Sequence, residues 1–241
     1  MTIYLPELSG NPENFPPCHE ALEDPDGLLA MGGDLHPKRI LAAYNQGIFP
    51  WFSDGDPILW WSPKVRAIFD PKTFKPAKSL KKFFRKSNYR VSINQATHDI
   101  IRLCADTRPA EETWILPEMQ QAYQALADLG RCHSVEVWQN NEIIGGLYGL
   151  QIGQVFCGES MFSLQTNASK IALWHLCEHL NRHEGVLIDC QMMNEHLESL
   201  GAIECLRSDF LQELSTLRNK EVSNGCYEPQ WLLSPQSEEL T

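Results

Sequence analysis

The sequence predicts an α+β protein, with a small turn-rich N-terminal region followed by a mixed, twisted sheet that carries helices on its faces. Three observations predict it. Three strand-like runs, Ser134 to Gln139, Glu142 to Leu150 and Gln154 to Gly158, follow one another as a meander, joined by turns at Asn140-Asn141 and Ile152-Gly153. After them, apolar strands alternate with helical periods, the pattern of strand-helix-strand crossovers. Upstream, residues 47 to 63 hold five aromatics among Pro50, Pro57, Pro63, two glycines and two aspartates, so neither a helix nor a regular strand can run through them.

The elements follow in order. A helix runs from Pro37 in its first turn to Gly47 as its stop, with Ile40, Leu41 and Tyr44 on one face. A short apolar strand spans Val65 to Phe69. Pro76 suits the first turn of the next helix, which sets Leu80, Phe83 and Phe84 on one side and Lys78, Lys81, Lys82 and Arg85 on the other. A strand from Tyr89 to Ile93 precedes a helix capped by Asn94 and running to about Ala105, and another helix begins at Pro117 and ends before Gly130. In the meander, Val135 and Val137 alternate inward. A helix from Ala168 to Arg182, the apolar strand Val186 to Ile188, a helix over Asn194 to Leu200, a strand near Ala202 to Cys205 and a helix from Ser208 to Leu217 complete the series. The composition change after Pro63 divides the chain into a small domain, 1–64, and a larger one, 65–241, whose acidic end, 235–241, is expected to be mobile.

Composition narrows the function. The chain of 241 residues is 43% hydrophobic and 21% charged, ordinary for a globular protein with a real core. It has no basic segment followed by an apolar stretch at its start and no long apolar run, which predicts a cytoplasmic protein that is neither exported nor membrane-spanning. Its eight cysteines include no Cys-x-x-Cys pair and are expected to be reduced. A net charge of −11 argues against indiscriminate coating of nucleic acid. Yet Lys72 to Arg90 holds eight basic residues and no acid, leaving twelve basic against thirty-one acidic residues elsewhere. The basic helix face either only solubilises or neutralises successive phosphates with little demand on base sequence. The aromatic segment is likewise either core or a stacking surface.

Residues 47–63 taken whole resemble the signature of the bacterial leucyl/phenylalanyl-tRNA–protein transferases. So do Asp26 to Asp34, Thr113-Trp-Ile115, His133 to Trp138, Phe156 to Ser163, Asn167 to Lys170 and Leu187 to Gln191, in order across residues 20 to 210. The resemblance implies transfer of leucine, phenylalanine and less readily methionine from aminoacyl-tRNA to the α-amino group of proteins that begin with Arg or Lys, which marks them for degradation under the N-end rule. It implies a GCN5-type N-acyltransferase sheet and no metal or organic cofactor, and nothing in the sequence demands more than a monomer. The reaction is aminolysis of an activated ester. It needs an apolar side-chain pocket, a holder for the terminal adenosine and an acceptor for the proton of the attacking amine.

For the proton, the family match points to Asp189 and Gln191. In extended backbone they point to one side and can share a cleft, although Asp189 by itself reads equally as a helix cap. Glu159 matches a position in the cleft where it binds the incoming ammonium or the ribose hydroxyls; by itself it reads as a paired glutamate at a strand end. Family matching assigns Phe156, Met161 and Ile188, with Leu147 and Leu176 nearby, to the apolar pocket, although all five read as core without it. Trp51 and Trp114 match aromatics that flank the adenosine or its amino acid, and Lys78, Lys81, Lys82 and Arg85 would hold acceptor-stem phosphates.

Other constellations carry less. His175, His179 and His183 recur at helical spacing but read as a solvated polar face rather than a zinc site. Cys190, alternating with Asp189 and Gln191, is expected to point to the core, and Gly145-Gly146 has no following helix to make a phosphate loop. An acyl-CoA N-acyltransferase would need a glycine-bearing turn where Met161 to Lys170 has none, and a non-catalytic RNA-binding module would not need Asp189, Gln191 and Glu159 at their motif positions.

Overall fold

The computed structural model describes residues 5–109 and 114–232, so Thr113 of the family pattern and the expected tail 235–241 lie outside the described residues. β1 (Glu7–Leu8), β2 (Leu28–Gly32), α1 (Pro37–Tyr44), β3 (Phe49–Pro50) and β4 (Leu59–Trp61) make an N-terminal layer, a four-stranded sheet in the order β1-β2-β4-β3. The aromatic segment thus contributes two short strands where the prolines predict none. They stop after two and three residues because Pro57 and the turn at Asp54-Gly55 separate them. Trp60 is fully buried and its indole donates to the Gly32 carbonyl at 2.9 Å, while Trp61 donates to the Trp51 carbonyl at 2.6 Å. Gly47 closes the turn after α1 with φ 74°, and a Cβ there would lie 2.3 Å from Leu211.

The remaining elements are β5 (Val65–Phe69), α2 (Lys78–Lys86), β6 (Arg90–Ile93), α3 (Thr97–Asp106), α4 (Pro117–Asp128), β7 (Cys132–Gln139), β8 (Glu142–Ile152), β9 (Val155–Ser163), α5 (Ala168–Arg182), β10 (Leu187–Asp189), α6 (Glu195–Ser199), β11 (Ile203–Leu206), α7 (Arg207–Leu217) and β12 (Gln230–Trp231). Their strands form one eight-stranded mixed sheet in the order β11-β5-β10-β9-β8-β7-β6-β12, antiparallel throughout except where β10 lies parallel to β9. Both faces are covered. One core joins the N-terminal layer, α3, α4 and α7 on one side; the other joins α2, α5 and α6 on the opposite side. The two sheets share one apolar core, which includes residues on both sides of position 64.

Several local expectations change in the tertiary setting. α2 begins at Lys78 because Phe74 packs edge-on against Phe69 at 5.9 Å and Ala77 stays extended, leaving Pro76 outside the helix. Asn94 does not cap α3: it is left-handed (φ 55°) and its side chain binds the Ser134 amide and the Tyr227 carbonyl. The Glu136 carboxylate instead gathers the segment just before the helix, accepting from the amides of Gln95 and Ala96 and from the hydroxyls of Ser92 and Ser134. That makes β7 buried on both faces rather than one, and burial raises the pKa of the Glu136 carboxyl despite its donors. His175 and His179 are 3% and 4% exposed, not solvated, because α5 is sandwiched between the sheet, α2 and the 223–227 segment. His175 contacts the Ile171 carbonyl at 2.9 Å, His179 the Cys226 carbonyl at 2.6 Å, and burial lowers both their pKa values. Val186 is 39% exposed, so the strand begins one residue later, at Leu187, and extends through Asp189.

Candidate active site

The site begins where two parallel strands part. β10 pairs with β9 only from Leu187–Val155 to Asp189–Cys157 and then ends, whereas β9 continues to Ser163. At the parting, the β8–β9 register shifts between Tyr148–Ser160 and Gly149–Gly158, which leaves Glu159 as the extra residue of a bulge. Gly149 permits this, since a Cβ there would lie 2.2 Å from the Cys157 carbonyl oxygen. The bulge turns Glu159 into a cleft of about 490 Å³ that opens between β9 and the end of β10.

One wall of the cleft is apolar: Leu147, Phe156, Leu176 and Ile188 are each at most 3% exposed, and Met161 and Leu173 complete it. The apolar residues belong to the core on the α5 side of the sheet, whereas Tyr148 and Trp114 belong to the core on the other side, as do Tyr44 and Tyr123, which bond Glu159; with Trp51, Arg108 and Ser160 they make the second wall. Trp51 is 38% exposed while its neighbours Phe49, Phe52, Trp60 and Trp61 are buried, so the aromatic segment divides into core and cleft surface. Its ring meets that of Trp61 edge-on at 5.5 Å. Gln191 and Cys190 close the cleft beside Ile188. Every cleft residue expected from the sequence, apart from Asp189, lines this one space.

Glu159 is held by two phenols. Tyr44 donates to Oε1 at 2.7 Å and Tyr123 to Oε2 at 2.8 Å, while the two hydroxyls stand 2.8 Å apart. Gln191 Nε2 approaches Oε1 at 3.5 Å. With the carboxylate ionised, two hydroxyl protons serve three oxygen–oxygen contacts; a proton on Glu159 would satisfy the third. Burial pushes the Glu159 carboxyl up to about 7, against the pull of the two phenols, and the charge of Asp189 adds to the rise. Neither tyrosine was visible as a site residue in the sequence. The signal was indirect: a tyrosine on the apolar face of a helix needs a partner for its hydroxyl, as Tyr44 on α1 and Tyr123 on α4 do.

Asp189 and Gln191 do not share the cleft as extended-strand geometry suggested. Asp189 is fully buried and forked onto Arg66, with Arg66 Nε at 3.1 Å from Oδ1 and a second, shorter contact between Nη2 and Oδ2. Arg66 also donates to the Gly47 carbonyl at 3.3 Å and lies over the rings of Phe49 and Phe210. The backbone then turns left-handed at Gln191 (φ 56°), where Asp189 Oδ1 accepts from the Gln191 amide at 3.0 Å. Alternation stops at that turn, so Cys190 lies half-buried in the cleft wall rather than pointing to the core. Burial, and then the charges of Asp189 and Glu159, raise its thiol far above the ordinary range, which leaves it un-ionised and a poor nucleophile. Arg66 was the missed signal: an arginine one residue into the otherwise apolar run Val65 to Phe69. Asn194, expected in a helix, caps α6 by accepting from the Leu197 amide at 2.8 Å.

The basic helix sits behind this cleft. Lys78, Lys81, Lys82 and Arg85 are all exposed on α2, whose Phe84 packs against Trp174 and His175 of α5 while Lys81 Nζ lies 5.9 Å from the Trp174 ring. The same helix, α5, supplies Ser169, Leu173 and Leu176 to the cleft.

Residues 68–215 match the family described as leucyl/phenylalanyl-tRNA protein transferase, and residues 33–64 match the N-terminal domain of that family. The chain is 66% identical over 233 residues to the leucyl/phenylalanyl-tRNA–protein transferase of Aliivibrio salmonicida, covering 96% of this chain and 99% of that one. It is 63% identical over 232 residues to the protein of the same name from Vibrio vulnificus, covering 96% and 98%. Among solved structures, a conserved protein of unknown function from Bacteroides thetaiotaomicron is similar at 13% identity and a TM-score of 0.41, over 66% of this chain and 57% of that one.

Proposed function

The chain belongs to the leucyl/phenylalanyl-tRNA protein transferase family and is an aminoacyltransferase, and from that premise we propose that it moves leucine, phenylalanine and less readily methionine from aminoacyl-tRNA to proteins with an N-terminal Arg or Lys, marking them for degradation. The observation that carries this reading is the division of one cleft into an apolar wall and a wall holding two tryptophans and a carboxylate with a pKa of about 7. The amino-acid side chain occupies the recess of Leu147, Phe156, Met161, Leu176 and Ile188. The terminal adenosine lies against Trp51 and Trp114, whose ring faces tolerate any base. The acceptor stem runs toward Lys78, Lys81, Lys82 and Arg85, which α5 joins to the cleft.

In the reaction, the nitrogen lone pair of the acceptor's α-amine forms a bond to the ester carbonyl carbon, and the bond from that carbon to the ribose oxygen breaks. The amine gives up one proton and the ribose oxygen takes one. We assign that proton to Glu159, and a pKa close to the ordinary value of about 8 for an α-ammonium supports the assignment. Gln191, whose amide nitrogen faces Glu159, offers its oxygen to the incoming ammonium. Asp189 is assigned a positioning role: held by Arg66, it fixes the left-handed turn that presents Gln191. Orientation supplies much of the rate, since the ester is already activated. The antiparallel meander followed by the parallel β10 also supports kinship with the GCN5-type N-acyltransferase fold.

The test is direct. Purified protein is incubated with radiolabelled leucyl-tRNA and a peptide beginning with Arg, and in parallel with labelled acetyl-CoA. Label should reach the peptide from the tRNA and not from CoA; the reverse, or no transfer, overturns the reading.

A further inference from the structure

Among the described residues, six buried side-chain nitrogen or oxygen atoms have no hydrogen-bond partner, and three of the six lie in one wall of the cleft: Arg108 Nη1, Tyr148 Oη and Ser160 Oγ. The fold brings them together. Tyr148 and Ser160 face each other across β8 and β9 beside the bulge, and Arg108 follows the end of α3, one turn beyond Cys104. The Cys104 thiol has Ser160 and Arg108 as its polar neighbours, and the Tyr148 hydroxyl feels the charge of Arg108. Tyr148 itself is fully buried, with its ring edge-on to Tyr123 at 5.6 Å.

A buried guanidinium N–H without an acceptor is costly, and two unpaired hydroxyls beside it add to the cost. All three can donate, and the guanidinium adds positive charge, so the wall is complementary to a group made of anionic oxygens. The donor assigned above offers one such group near its reactive end. The aminoacyl ester is neutral and its ammonium is positive, but the phosphodiester that joins the terminal adenosine to the preceding nucleotide is negative. Trp51 and Trp114, which take the adenosine in that assignment, share this wall.

We propose that Arg108, with Tyr148 and Ser160, binds the phosphodiester preceding the terminal adenosine, so that the enzyme selects an ester carried on a nucleotide chain over one carried on a nucleoside. This rests on the reading of the donor as aminoacyl-tRNA. The charge is what the wall recognises, and a minimal donor isolates it: the leucyl ester of the dinucleotide cytidylyl-adenosine, made once with its native phosphodiester and once with a neutral methylphosphonate in its place.

The readout is the ratio of kcat/KM for the charged donor to that for the neutral one, with a peptide beginning with Arg as acceptor. A charge-assisted contact predicts a wild-type ratio of about ten- to a hundredfold. Arg108→Ala should bring it to about one, Arg108→Lys should keep part of it, and Tyr148→Phe and Ser160→Ala should each lower it by about two- to tenfold. Both donors meet the same enzyme preparation, so a misfolded fraction cancels from the ratio. A wild-type ratio near one, or a ratio that survives Arg108→Ala, overturns the proposal. Absence of transfer from leucyl-tRNA by the wild type is a different failure, that of the functional reading itself.

Discussion

Replacing Glu159 by Gln should make the protein more stable and far less active at the same pH. In the unfolded chain this carboxyl ionises near 4.5, and in the folded protein at about 7. Between those values the folded state holds a proton that the unfolded state has released, so stability falls as pH rises through this window and levels off above about 7. The interval corresponds to about 3 kcal/mol, and solvent at the mouth of the cleft brings the working figure to about 2 kcal/mol. Glutamine never ionises and keeps an oxygen for one phenol, so it escapes that penalty. At pH 8 the variant should exceed the wild type by about 2 kcal/mol, or about 4–8 °C in melting temperature; near pH 4.5 the two should melt together. Single-turnover transfer should drop by about 10²–10⁴-fold, because the amine loses its proton acceptor. The wild-type rate should rise with pH through about 7, and the variant should lose that limb. Denaturant melts at both pH values and rapid-quench transfer with bound leucyl-tRNA measure these quantities. Equal stability at pH 8 would remove the proposed desolvation of Glu159, and a retained transfer rate would remove its catalytic role.

Asp189→Ala leaves Arg66 as an unpaired buried cation, so it should cost about 3–5 kcal/mol of stability; recovery of transfer at raised pH without a change in melting temperature would instead restore Asp189 as the proton acceptor. Replacing Lys78, Lys81, Lys82 and Arg85 together by Ala should raise KM for aminoacyl-tRNA and flatten its salt dependence by about one unit or less of slope per lost phosphate contact, which a salt titration of KM reads directly. Trp51→Ala should weaken donor binding by about 1–3 kcal/mol while costing at most about 1.5 kcal/mol of stability, since the ring is 38% exposed; paired loss of binding and fold would return it to the core. Isoleucine and valine esters should be poorer donors than leucine esters by about 10–200-fold in competition assays, because a pocket built by shape alone distinguishes little more than a methylene.

The elements that were legible in the sequence share one property: their pattern is local. The helix Ala168–Arg182 appears with the predicted bounds, and the Asn140-Asn141 turn has both residues at positive φ, because helical period and turn chemistry are carried by neighbours in the chain. The apolar and aromatic cleft residues were legible too, through motif positions, as were the basic residues of α2. What the chain alone left undecided was the direction of each polar side chain, which depends on what packs from elsewhere. Asp189 and Gln191 differ by two positions and looked equivalent, yet Arg66, 123 residues upstream of Asp189, claims one of them, and a left-handed residue redirects the other. His175 and His179 looked solvated until α2 and the 223–227 segment covered them. The pKa of Glu159 belongs to the same class, since burial and two tyrosines from separate helices set it, and no stretch of sequence contains that neighbourhood. Sequence thus determined which chemical groups this protein has and the order of its elements; the tertiary structure decided which groups meet water, which meet a charge, and which face the cleft, because desolvation and pairing are properties of the packed whole.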